Sequence, residues 1–235
     1  MWQWFLSKVD RAHAKRRSSS NKDIICDSVP NGNFSTIVDL GGSDGKLILR
    51  VASKVNGKEL FVLDHNPNYL AKCPKNIKAI KIDLNEKLPL KTNQFDLVIS
   101  SQVIEHLQDP DGFVKEIHRI LKPNGLLILT TPNLASIHAR LLLLFGSTPS
   151  CLHPSQLRMG VYSKKKYTPY LIDQYGHKSV FTVKGLKKLF THYDFNVATS
   201  RSYNLFLMPE FISKIICAIF HFGNSQVIIA KKNRR

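Results

Sequence analysis

From Thr36 to Thr131 short runs of β-branched and aliphatic residues alternate with longer stretches whose apolar side chains recur every three or four positions. That alternation predicts a parallel sheet with crossover helices, since buried parallel strands read as apolar runs and the connections between them as amphipathic helices. Strands are expected at Thr36 to Leu40, Glu59 to Asp64, Ile77 to Asp83, Phe95 to Ser100 and Leu126 to Thr131. The best-defined helix runs from Pro110 to Leu121, with Asp109 as N-cap, Pro110 at the first helical position and Phe113, Ile117, Ile120 and Leu121 on one face. It stops at Lys122-Pro123-Asn124-Gly125, a turn that aims the next strand back into the sheet.

Beyond Asn133 the pattern loosens. An apolar helix is expected over Leu134 to Phe145, followed by a loop-rich stretch from Gly146 to Val180 that holds Pro149, Pro154 and Pro169. Loops of that length in compact domains are usually lids or binding segments, so residues 146–180 read as an acceptor-side insertion over the carboxyl edge of the sheet. Thr182 then caps a helix from Val183 to Tyr193, and two strands, Asn196 to Ser202 and Gln226 to Lys231, flank an apolar helix at Phe211 to Phe222. This last helix is interrupted by Ser213, Lys214 and His221 and is too short to span a membrane, which takes about 20 residues. Docking into the core is its expected role.

The 235 residues suit one α/β domain with decorations, and 43% hydrophobic against 22% charged residues is a globular composition. Charge changes the picture more. A net +17 is concentrated before residue 22, between Arg158 and Lys188 and at Lys231, Lys232, Arg234 and Arg235, which points to a polyanionic partner. Trp2, Phe5, Leu6 and Val9 fall at helical spacing beside Lys8, Arg11, Lys15 and Arg16, giving residues 1–33 a basic amphipathic start. Such a helix lies on an anionic membrane surface or closes over a ligand as a lid. Cys26, Cys73, Cys151 and Cys217 are scattered without zinc spacing, and the apolar start precedes its charges, the reverse of an export signal. The expected location is the cytoplasm, with peripheral attachment to a membrane as an option.

The candidate chemistry sits at strand ends. The first strand runs as IVDLGGSDG into a helix at Lys46, so Gly41, Gly42 and Gly45 let a ligand approach the backbone and the helix N-terminus. Asp39 precedes these glycines and Asp64 ends the next strand, where it can accept both hydroxyls of a ribose. A nicotinamide cofactor is the natural rival. It is disfavoured because the G-x-G-x-x-G spacing is absent and because an acid ahead of the loop suits a cationic amino group better than a pyrophosphate.

With FVLDHNPNYL (61–70), KIDLNEKLPL (81–90), FDLVISSQVIEHL (95–107) and RILKPNGLLILTTPN (119–133), the chain resembles the class I S-adenosylmethionine (SAM) dependent methyltransferases of the type 11 and type 12 groups. The resemblance implies a Rossmann-like, doubly wound α/β fold: a mostly parallel seven-stranded sheet whose last strand is antiparallel. It assigns Asp39, Gly41, Gly42, Ser43 and Gly45 to the methionine and ribose region, and Asp64 with His65 to the ribose. Asp83 and Leu84 go to the adenine, and Ser100, Ser101 and Gln102 line the methyl donor. Ser43 is a departure, since the family more often has glycine there.

Glu105 and His106 in VIEHL resemble the Glu-His pair of many type 11 enzymes, including quinone O-methyltransferases. Those add a metal-binding Glu three residues earlier, where this chain has Gln102, so no metal is expected. His177 in YGHKSVFT resembles a segment before a late helix in methyltransferases of sugar and polysaccharide pathways, which makes His106 and His177 the candidate catalytic residues. The resulting expectation is methyl transfer to a small-molecule, glycan or lipid-linked acceptor, at oxygen. An RNA acceptor is the alternative that the charge motivates, although neither an N-P-P-Y sequence nor an RNA-binding module is present. A non-catalytic SAM-binding protein is the third reading.

Overall fold

The apolar runs form strands whose neighbouring residues point to opposite faces, and both faces are covered. In the computed structural model, residues 21–149, 151–152, 176–203, 217 and 220–233 are described. The strands are β1 (Thr36–Leu40), β2 (Glu59–Asp64), β3 (Ile77–Lys81), β4 (Phe95–Ser101), β5 (Leu121–Pro132), β6 (Phe195–Tyr203) and β7 (Ser225–Lys232). They form one seven-stranded sheet in the order β3-β2-β1-β4-β5-β7-β6. The pairs from β3 through β5 are parallel, and β7 runs antiparallel to both β5 and β6. This is the doubly wound sheet, last strand antiparallel, that the sequence predicts.

The helices are α1 (21–28), α2 (Lys46–Val55), α3 (Pro67–Leu70), α4 (Pro110–Ile120), α5 (Ile137–Leu144) and α6 (Val183–His192). Val38 and Leu63 of the sheet pack with Phe113 and Ile117 of α4 and Leu186 and Phe190 of α6 on one face. Ile37, Val62 and Ile99 pack with Ile25 of α1 and Ile48 and Val51 of α2 on the other. Each face is sealed by apolar burial at about 25 cal/mol per Å2. The carboxyl ends of the parallel strands are where sheets of this kind bind ligands.

Several boundaries move, each for a local reason. β3 ends at Lys81 rather than Asp83, because the Asp83 carboxylate accepts the Asn85 amide at 2.9 Å and turns the chain. β5 starts at Leu121, not Leu126: Leu121 already pairs with Phe95, and the Lys122 to Gly125 turn is an outward bulge before pairing resumes at Leu97 with Leu126. α4 accordingly stops at Ile120. α5 begins at Ile137 instead of Leu134, since the Asn133 side chain accepts from Ala135 N–H and Ser136 caps by accepting from Ala139 N–H. It ends at Leu144. α6 ends at His192, and β6 and β7 are each longer than expected.

The Lys232 ammonium is buried at the far end of β7 and donates to Asn93 Oδ1 at 2.8 Å and Leu121 O at 2.9 Å; burial lowers its pKa. The basic helix expected over residues 2–17 and residues 153–175 of the insertion lie outside the described residues. Of the Phe211 to Phe222 segment, Cys217 is described and buried, and Phe220 is described and exposed. Among the described residues no helix is long and apolar enough to cross a membrane.

Candidate active site

The turn after β1 is built by conformations few residues tolerate. Gly41, Ser43 and Gly45 have φ of 79°, 52° and 74°. Glycine adopts these freely, and Ser43 does so at a cost of about 1 kcal/mol. A Cβ on Gly41 would stand 2.3 Å from Val103 Cγ2, and one on Gly42 would stand 2.7 Å from Asp39 Cγ. Space therefore demands glycine at both positions, and at Gly41 the backbone does too. The Gly41 and Gly42 amides both donate to Leu63 O, at 2.7 and 3.3 Å, which holds the turn against the tip of β2.

Two acids flank this turn in different states of satisfaction. Asp64 is buried; its Oδ2 accepts from Ser43 N–H at 3.0 Å and its Oδ1 from Asn66 N–H at 2.9 Å. Asp39 is buried too, yet neither carboxylate oxygen has a hydrogen-bond partner among the described residues. Burial pushes the Asp39 pKa up to about 7, the charge of Asp64 adds to the rise and the Lys22 ammonium opposes it. An orphaned buried carboxylate is costly unless something pairs with it. A ligand carrying a cationic amino group next to the glycine turn fits this arrangement, and the amino-acid end of SAM is such a group. Lys22 of α1 was not singled out in the sequence, because only the fold brings it to bear on Asp39.

The other expected cofactor residues fall around the same carboxyl edge. His65 is exposed with Nδ1 3.4 Å from Asp64 Oδ1. Asp83 is exposed, accepting from the Asn85 backbone and side chain, whereas Leu84 is buried in the core. The Ser100 hydroxyl is buried and donates to Leu40 O at 3.0 Å, so it ties β4 to β1. Ser101 Oγ lies 3.4 Å from Thr130 Oγ1. Gln102, at φ 58°, donates its amide to Thr130 O at 2.9 Å, with its side-chain Nε2 3.4 Å from Thr130 Oγ1.

The acceptor side is assembled from residues far apart in the chain. Glu105 and His106 form a 3-10 turn after β4, and the amides of Lys178 and Ser179 donate to Glu105 O at 2.7 and 3.1 Å. That pairing carries His177 to His106, with ring centroids 5.0 Å apart in an edge-to-face arrangement. His106 Nδ1 is 3.2 Å from Gly176 O and His177 Nδ1 is 2.8 Å from Cys151 O. A carbonyl only accepts, so each Nδ1 is the donor in these two contacts. Buried Glu105 accepts from Thr131 Oγ1 at 2.8 Å, and its Oε1 lies 4.0 Å from His106 Nε2. Glu105, His106 and His177 each offer a ligand atom within 4.8 Å of the others and could hold a metal ion. Gln102 is not among them; His177 would be the third ligand, a role the sequence alone did not suggest.

Comparison with known proteins gives the family. A family model described as "Methyltransferase domain" matches residues 7–200, and the chain belongs to that family. A Mycolicibacterium smegmatis protein described as an S-adenosylmethionine-dependent methyltransferase is 47% identical over 94 residues, which cover 39% of this chain and 35% of that protein. The ubiquinone biosynthesis O-methyltransferase of Bartonella bacilliformis is 30% identical over 126 residues, covering 48% of this chain and 50% of it. The chain thus spans half or less of the length of these curated relatives. In fold, a SAM-dependent methyltransferase from Thermotoga maritima superposes with a TM-score of 0.60 at 21% identity, over 99% of this chain and 100% of that one. The chain therefore carries a methyltransferase domain, on a sheet of the kind found in SAM-dependent methyltransferases.

Proposed function

We propose that this methyltransferase alkylates a hydroxyl oxygen of a small-molecule or lipid-linked acceptor, such as a quinol, a glycan or a polyprenyl intermediate. The sulfonium supplies an activated methyl group, so the chain's contribution is alignment and disposal of one proton. As the O–C bond forms and the S–C bond breaks, the hydroxyl proton passes to His106 Nε2. The observation that carries this reading is the placement of His106: its Nδ1 is held 3.2 Å from Gly176 O, and its Nε2 lies 4.0 Å from the buried Glu105 carboxylate. Asp39, Asp64 and Asp83 hold the donor, with the Gly41 to Gly45 turn beneath it.

The test is methyl transfer from labelled SAM to cell lipid, sugar and RNA fractions. Label is expected in the lipid or sugar fraction. His106→Gln should lower kcat by about 100-fold or more, the scale of a lost general base, and leave SAM affinity unchanged. Transfer should survive a chelator; loss of transfer on chelation would reassign Glu105, His106 and His177 to a metal. A second reading, an RNA acceptor, draws on the exposed Lys184, Lys187 and Lys188 that line a surface groove on α6. Label in the RNA fraction, with binding that falls steeply in salt, would favour it.

A further inference from the structure

Helices α2, α4 and α6 each bury one apolar face against the sheet, as amphipathic helices do. α5 departs from this. Its sequence IHARLLLL buries only Ala139, and the chain leaves it with its largest apolar residues in solvent. Leu144 is 75% exposed, Phe145 78% and Leu143 51%. Phe220 is 54% exposed and stacks on Phe222, whose carbonyl accepts the Ile137 amide at the start of α5, so the two segments make one apolar surface. Apolar residues gathered in this way mark an interaction face.

Its place in the fold and its charge say what kind. Asn133, at the end of β5, binds the carbonyls of His221 and Gly223 and bridges to Phe181, a few residues beyond His177. The apolar face is therefore hung from the same strand edge as the acceptor side of the site. No acid lies between Asn133 and Phe145 or between Phe220 and Arg235. From Ile117 to Arg235 there are only Asp173, Asp194 and Glu210, against 17 of the chain's 34 lysines and arginines. Two copies of so basic a half would repel each other, and leucine side chains offer nothing to phosphate or base. An anionic lipid surface satisfies both the apolar tip and a chain half of this charge, of which Arg140 lies over the Phe222 ring at 5.1 Å.

We propose that the face formed by α5 and Phe220 docks onto an anionic bilayer and sets the acceptor side of the site at the membrane interface. The inference rests on the proposed lipid-linked acceptor for its purpose and on the exposed residues for its location. Full-length protein floated with vesicles tests it, using phosphatidylcholine alone and phosphatidylcholine with about one-third phosphatidylglycerol. The protein should float with the anionic vesicles only, and less in high salt. The double variant Leu144→Ser, Phe145→Ser should float at least about tenfold less, from the lost apolar burial. Its melting temperature, oligomeric state, SAM affinity and methyl transfer to a water-soluble hydroxyl acceptor should match the parent.

A parent that ignores anionic vesicles, or a double variant that floats as well as the parent, overturns the proposal. So does a lowered melting temperature, which would mean that the protein's own chain covers the face, or a change of oligomeric state, which would assign it to a second copy. Loss of binding to total tRNA in the double variant would assign it to RNA. A parent that floats as expected but transfers methyl to no lipid or soluble hydroxyl acceptor counts against the proposed acceptor and in favour of the docking face.

Discussion

The Asp64 carboxylate accepts the backbone N–H of Ser43 at 3.0 Å, so the acid at the end of β2 also holds the glycine-rich turn that follows β1. One side chain thereby shapes the turn and would present oxygen to the ribose of the proposed donor. Asp64→Ala should lose both roles, and titration calorimetry should show SAM binding weakened by at least about tenfold, since hydrogen bonds to a charged group are worth about 1.5–3 kcal/mol. Unchanged affinity would remove Asp64 from the donor site.

Gly42→Ala tests the space rather than the charge. The new methyl would lie within 2.9 Å of three Asp39 side-chain atoms, so Asp39 must move or the turn must open. A loss of about 1–3 kcal/mol in stability and a collapse of SAM affinity are expected. Thermal unfolding and a SAM titration on the same sample check both. Ser43→Gly should do the reverse to the fold, adding up to about 1 kcal/mol by relieving the left-handed serine.

The Asp39 carboxyl yields a pH signature with a definite sign. Its folded pKa, about 7, lies above the ordinary value of 3.8, so between those pH values the folded state without SAM binds more protons than the unfolded chain. Stability from this group therefore falls as pH rises from about 4 to 7 and levels off above that. Asp39→Asn should flatten that slope and stabilise the SAM-free protein at pH 8 by an amount on the order of a few kcal/mol. The same variant should bind SAM poorly at every pH. Denaturant melts across the range, with and without SAM, provide the measurement.

Lys232→Met removes the ammonium that bridges Asn93 and Leu121. Two acceptors lose their donor, so a loss of about 1–3 kcal/mol is expected in denaturant unfolding, with SAM affinity little changed. A large drop in SAM affinity would show that the clamp reaches the site.

The parallel core and the acids at its strand ends were readable because buried strands are nearly unbroken apolar runs and Asp39 and Asp64 interrupt them where they end. Strand edges beside turns were harder. Lys122-Pro123-Asn124-Gly125 has the composition of a loop, and only the pairing of Leu121 with Phe95 shows that β5 began before it. Leu134 and Ala135 look helical until the Asn133 side chain takes the Ala135 amide. His106 and His177 could each be picked out from their local motifs, but their contact depends on backbone pairing between Glu105 and Lys178, which no local pattern encodes. α1 was hard to read because its core-facing residues, Ile25 and the following Val29, are few.

The position of β7 between β5 and β6 also sets an order of assembly. β6 has no partner in the sheet except β7, although it precedes β7 in the chain. During synthesis the first five strands can pair as they appear, while Phe195–Tyr203 must wait as an unpaired strand until Ser225–Lys232 slides in beside Leu126–Pro132. Long-range pairing of this kind forms slowly, and until it does the edge of β5 is a template on which another chain could pair.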